Sequence, residues 1–181
     1  AAMMQAMRIM GGQFVMGRTI GEAIKRGQRT VKKGEAASHS FDMLGEGART
    51  TADARRYFDS YANAIGEVGK AKTGDRPETA DGISVKLSAL HPRYETAKAT
   101  TCVPELAAML IALSRQAAAI GVQLTVDAEE AARLEMSLDI IEAAARDPQL
   151  KGWDGLGMAV QAYSKRARPV LAWADALGAP P

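Results

Sequence analysis

Cysteine is nearly missing from this sequence. Cys102 is the only one in 181 residues, which excludes an internal disulfide and fits a reducing compartment. No run of about 18 apolar residues occurs, so no helix is expected to span a membrane. The opening Ala1-Ala2-Met3-Met4 lacks a basic leader, and Arg8 interrupts its apolar stretch, so it does not read as a signal peptide. Neither sign of charge dominates. A net charge of +2 gives no reason to expect nucleic acid or a membrane surface as the main partner. His39 and His91 lack metal-ligand spacing with each other or with carboxylates, so no metal site is assigned. Gly69 to Gly74 does not match a phosphate-binding loop. Gly152, Gly155 and Gly157 precede a strand instead of joining strand to helix, which excludes a dinucleotide fingerprint.

What is present is an ordinary globular composition, 47% apolar and 24% charged, enough for one domain with a sizeable core. Arg18, Lys25, Arg26, Arg29, Lys32 and Lys33 crowd the N-terminal region and read as a solvated helix face. Residues 1–35 read as helical, with Gly11-Gly12 and Gly34 as breaks. Residues 40–44 form a short strand candidate. A helix from Thr51 to Lys70, capped by Thr51, carries the apolar stripe Ala52, Tyr57, Tyr61, Ala64, Ile65 and Val68. The stretch 73–77 is a loop. Three strand–helix units follow: Ile83–Leu87 with Pro104–Ala118, Val122–Asp127 with Glu129–Ala145, and Leu156–Gln161 with Arg166–Leu177. Leu134, Leu138, Ile141 and Ala145 share one helix face. Glu129 and Glu130 read as partners of a helix dipole. Met3, Met4, Met7 and Met10, with Trp153 and Trp173, read as packing residues.

Strands alternating with helices predict parallel pairing through right-handed crossovers, four βα units in all. Each strand has one apolar face and one polar or small face. Ile83, Val85 and Leu87 oppose Ser84, Lys86 and Ser88. Val122, Leu124 and Val126 oppose Gln123, Thr125 and Asp127. Strands sandwiched between helix layers tend to be apolar on both faces. The alternation suits a barrel wall better, with helices outside and a polar lumen. A complete eight-unit barrel typically needs about 250 residues, so 181 are few for one. The fold class expected is therefore α/β, a (β/α)8-type barrel represented by about four βα units. The boundaries expected are an N-terminal helical segment, 1–35, and a partial barrel, 36–181, that stops before a fifth strand.

Lys86, Asp127 and Gln161 lie at the C-terminal ends of three consecutive strands, on the polar face. That end carries the active site in parallel α/β folds. A cation, an anion and an amide thus meet at one mouth. Two readings stand at this point: a functional site, or a Lys86–Asp127 ion pair that merely satisfies itself.

Several stretches resemble the proline dehydrogenase domain of the bifunctional proline utilisation A family. They are Met7 to Gly11 with Gln13 to Val15, Phe41 to Glu46, Ile83 to Tyr94, Asp127 to Ala131 with Arg133 to Glu135, and Gln161 to Tyr163 with Lys165-Arg166. The resemblance implies FAD-dependent oxidation of L-proline to Δ1-pyrroline-5-carboxylate, with a membrane quinone reoxidising the flavin. Carried over by position, it implies that Lys86 pairs with the proline carboxylate and that Asp127 is the acidic residue that organises the catalytic site. It places Ala128 beside the flavin and has Gln161 hydrogen-bond the flavin ring. The family's arginine on a fifth strand and its arginine pair on the last helix match nothing in the 181 residues, so the isolated chain is expected to be inactive. The implied setting is the cytoplasm, peripheral to the inner membrane for a full-length protein, and the open strand edges imply an oligomer. Two alternatives differ in class: a Schiff-base lyase using Lys86, and a non-catalytic half-barrel.

Overall fold

The structure is a computed structural model that describes residues 2–43, 45–72 and 79–178. The predicted loop at 73–77 and the end of the predicted strand at Leu44 lie outside the described residues. Two helices come first, α1 (Ala2–Phe14) and α2 (Ile20–Lys32). The order is then β1 (Ser40–Asp42), α3 (Thr51–Ala71), β2 (Gly82–Val85), a single turn α4 (Leu87–Leu90), α5 (Ala99–Ile120), β3 (Gln123–Val126), α6 (Leu134–Ala145), β4 (Leu156–Met158) and α7 (Ala167–Gly178). The strands form one parallel sheet in the order β1-β2-β3-β4. Sequential parallel neighbours joined by helices make a partial (β/α) barrel.

The register explains which side chains share a face. Asp42 lies opposite Ser84, Ser84 opposite Thr125, and Thr125 opposite Gly157. Side chains alternate along a strand, so Ser40, Asp42, Ser84 and Thr125 line one face while Ile83, Val85, Leu124 and Val126 line the other. The second set is 0–1% exposed and packs under the helices. Gly82 suits the crowded polar face, because a Cβ there would sit 2.9 Å from the Gln123 Cβ and carbonyl oxygen.

Helix boundaries follow local chemistry. α3 is capped by Thr50, one residue earlier than the sequence reading placed it. The Thr50 side chain accepts from Asp53 N, and the Asp53 carboxylate accepts from Thr50 N, which is a capping box. With the cap shifted, Ala54 is buried and Ala52 exposed. α5 starts at Ala99, five residues before Pro104; the proline therefore stands inside the helix, where it withholds the N–H that the Thr100 carbonyl would otherwise accept. α5 ends at Gly121, whose φ of +67° suits a residue without a Cβ. The helix with its leading turn, Thr96–Ile120, is long and apolar enough to cross a membrane by length and composition. Here its Cys102, Leu106, Leu110, Leu113 and Ala117 are buried in the core.

α6 begins at Leu134, not at Glu129, and buries Met136, Ile140, Ile141 and Ala144, leaving Ala145 exposed. Met3, Met4, Met7 and Met10 are 58–76% exposed, so α1 does not use them for packing. All six basic residues of the N-terminal cluster are exposed, as a solvated face requires. Arg26 also donates to the carbonyls of Gly12 and Val15 and so caps α1. α2 buries Ile24 and Gly27, the latter close to His39 and Phe41.

Candidate active site

β2 ends at Val85 and β3 at Val126, so the next residues, Lys86 and Asp127, leave the sheet side by side. Their head groups meet: Lys86 Nζ donates to Asp127 Oδ2 at 2.8 Å. It also lies 2.8 Å from both carboxylate oxygens of Asp42, at the end of β1. Asp127 Oδ1 accepts from the Ser84 hydroxyl at 3.0 Å, and Ser40 and Ser84 hydroxyls lie 3.3 Å apart. The result is one ammonium between two carboxylates, with a file of hydroxyls behind them on the polar face. Burial by itself lowers the basicity of Lys86. Hydrogen bonds to Asp127 and Asp42, and the charges of both, outweigh it and raise the ammonium well above its ordinary value. Lys86 is therefore charged throughout the neutral range.

The backbone of Lys86 is held from the opposite side. Its N–H donates to the hydroxyl oxygen of Tyr61 on α3 at 3.2 Å. Burial pushes that hydroxyl up to about 12.

Above the ion cluster is an open cleft of about 690 Å³. Lys86 and Asp127 line its floor. Ala128, Ala159, Val160 and Gln161 form one wall, with Glu46 and Gly47 at the rim. Gln161 lies three residues beyond the end of β4, on the connection to α7, and its Nε2 donates to the Glu129 carbonyl at 3.2 Å. All four residues singled out from the sequence thus border one cleft, and the Lys86–Asp127 pair exists within it. Glu129 departs from the sequence reading. It precedes α6 by five residues and is no partner of that helix's dipole. Its carboxylate accepts from Ser88 N at 3.0 Å, tying the end of β3 to the turn after β2. Glu130 instead pairs with Arg133.

Sequence reasoning missed Asp42, Tyr61 and Ser84. Asp42 had a usable signal, since it stands in phase with Ser40 on one face of the strand expected at residues 40–44. Tyr61 had none: a tyrosine inside an apolar helical stripe reads as core. His91 belongs elsewhere, its Nε2 lying 2.9 Å from Glu105. Among the described residues no group of three His, Cys, Asp or Glu side chains is placed to hold a metal ion.

A family model for proline dehydrogenase matches residues 23–179. The bifunctional protein PutA of Klebsiella aerogenes is 47% identical over 166 residues, which are 92% of this chain and 12% of that protein. Its namesake from Rhizobium meliloti is 48% identical over the same length, 13% of that protein. This chain therefore spans only 12–13% of the length of these relatives. Among solved structures, a mutant of Bradyrhizobium japonicum proline utilization A superimposes with a TM-score of 0.81 at 55% identity, over 96% of this chain and 17% of that one. The PutA of Bdellovibrio bacteriovorus, inactivated by N-propargylglycine, shares the fold, with a TM-score of 0.85 at 22% identity over 99% of this chain and 20% of its own. Strand order, the cleft at the strands' C-terminal ends and a family match across most of the length agree: this chain belongs to the proline dehydrogenase family.

Proposed function

We propose that this chain forms the carboxylate-binding part of a site that oxidises L-proline to Δ1-pyrroline-5-carboxylate with FAD as electron acceptor. The carrying observation is the convergence of Lys86, Asp127, Ala128 and Gln161 on one cleft in a chain of this family. In the reaction the ring carbon beside nitrogen, on the side away from the carboxylate, loses a hydride. The ring nitrogen loses a proton, and a C=N bond forms. The bound flavin supplies a two-electron acceptor for that hydride. A quinone as final electron acceptor, an oligomeric assembly and association with the membrane surface belong to the same proposal.

The chain's own residues fit these roles. Lys86 presents a compact ammonium suited to a carboxylate. Its three protons are engaged by Asp42 and Asp127, so an incoming carboxylate must take the place of one of them. Asp42, 45% exposed against 24% for Asp127, is the one that yields. Asp127, tied also to Ser84, keeps the ammonium aimed into the cleft. A flavin ring fits the remaining wall. Ala128 and Ala159 present no bulk to a planar ring. The Gln161 amide is held in place through Glu129 and can hydrogen-bond a ring edge. The bound pair of carboxylates weighs against the lyase alternative, because a Schiff-base nucleophile must be a neutral amine, and here the ammonium is held charged.

The test is Lys86→Ala in the intact native protein. Loss of one charged contact to a carboxylate, about 1.5–3 kcal/mol, should raise KM for proline about 10–150-fold. A kcat/KM within about twofold of the parent would make Lys86 a purely structural ion-pair partner.

A further inference from the structure

Lys86 sits at the junction of a strand and a turn. Val85 is the last β2 residue in register with β3, and its carbonyl accepts from Asp127 N. On the other side, β1 pairs with β2 only as far as Asp42 opposite Ser84. The backbone N–H of Lys86 therefore emerges just past both ladders. It is still extended, with φ −98° and ψ 123°, and it leads directly into four buried residues, Leu87–Leu90. A backbone donor at such a place needs a partner or costs stability. Its partner is the Tyr61 hydroxyl, carried on a side chain only 1% exposed in the core cluster that also contains Ile65, Val85 and Leu87. A phenol has two torsions, and both are fixed by that packing, so the hydroxyl is a rigid post reaching from α3 to the strand end.

We infer that Tyr61 is a positioning residue for substrate binding: its hydroxyl anchors the backbone of Lys86, so that the ammonium stays at the floor of the cleft between Asp42 and Asp127. The head of Lys86 is held by carboxylates that a substrate partly displaces. Its backbone end is held by a group that the substrate never touches. Without that anchor the strand end is free to shift when the carboxylates let go, and the contact to the substrate weakens. The inference rests on the assignment of Lys86 to the substrate carboxylate.

The experiment uses the intact native protein and a cycle of three variants: Tyr61→Phe, Lys86→Ala and the double replacement. Phenylalanine keeps the ring and removes the acceptor. Tyr61→Phe should raise KM for L-proline about three- to tenfold, the worth of one net hydrogen bond, with kcat within about twofold. The dissociation constant of cyclopentanecarboxylate, a ring acid without the amine, should rise by a similar factor. In the Lys86→Ala background Tyr61→Phe should change neither further, since it acts through Lys86. Effects that multiply, or a single-variant KM within twofold of the parent, overturn the inference while leaving Lys86 in its role. No effect of Lys86→Ala overturns the substrate assignment and this inference together. If Tyr61→Phe does not fold, 3,5-difluorotyrosine at position 61 retains the ring and a weaker acceptor. A KM raised about twofold then supports the inference, and an unchanged KM sinks it.

Discussion

β3 and β4 begin from the same kind of pattern and end differently. Both alternate apolar with polar or small residues, and they pair with each other in register from Leu124 opposite Leu156. In β3 the apolar members are sealed: Leu124 is 0% and Val126 1% exposed, while Gln123 and Thr125 remain half-buried on the polar face. In β4 every residue is half-buried. The cause is neighbours. β3 is hydrogen-bonded on both sides and lies under α5, whereas among the described residues β4 has a strand on one side only. Beside β4 a second open cleft, of about 450 Å³, is lined by Trp153, Leu156, Met158 and Trp173. An alternating pattern states which face is apolar; how far that face is buried depends on what stands beside it.

The comparison can be broken most directly by truncating one leucine in each strand of the 181-residue chain. Leu124→Ala, in a sealed site, should cost about 3–5 kcal/mol in denaturant unfolding. Leu156→Ala should cost about 1 kcal/mol, because its methyl groups already meet solvent. Equal losses would mean that β4 is covered in solution, and sedimentation would then show self-association through that edge.

A second measurement probes the far end of β2, where burial is also complete. Tyr61 is raised by burial from 10.0 to about 12, and Tyr94 is raised as well, first by burial and then by the charge of Glu129. An acid whose folded value is higher keeps its proton in the native state after the unfolded chain has released it. Stability from Tyr61 is thus complete below pH 10 and is lost as pH rises through about 12, a contribution of about 2–3 kcal/mol at most. Tyr61→Phe should flatten this alkaline limb in urea titrations at several pH values. A limb of unchanged slope would place the hydroxyl in water, contrary to its burial.

An effect as small as that of Leu156→Ala belongs to the entry of α3, the helix that links outer β1 to inner β2. Thr50→Ala removes the acceptor for Asp53 N and half of the capping box. It should cost about 1 kcal/mol, read as a lower urea midpoint without a change in slope. A loss near that of Leu124→Ala would show that the helix start is part of the core rather than a solvent-facing cap.

Much of the candidate site is legible in the sequence. Lys86 and Asp127 stand on the polar phase of their strands, and the rule that parallel strands carry chemistry at their C-terminal ends places both at one mouth. Gln161 was found for a partly wrong reason. The pattern puts it at the end of a strand, whereas β4 stops at Met158 and the connection to α7 carries the amide to the cleft. Glu129 sits where the pattern expects a helix to follow the strand directly, and none does. A single 3-10 turn at Ala131–Arg133 intervenes and moves the start of α6 to Leu134, freeing the carboxylate for Ser88. Tyr61 was visible only as an apolar helical position.

By itself, the sequence determined the class of the fold, the parallel order of its units, the polar face of each strand and the family, because periodicity and residue type act locally and survive without neighbours. Only the tertiary structure decided who meets whom. It set Asp42 against Lys86 across 44 residues of chain, put the Tyr61 hydroxyl under the strand end, and left β4 half covered. Hydrogen bonds and burial between distant segments depend on register and on the helices packed outside. Neither is written in any one stretch of residues.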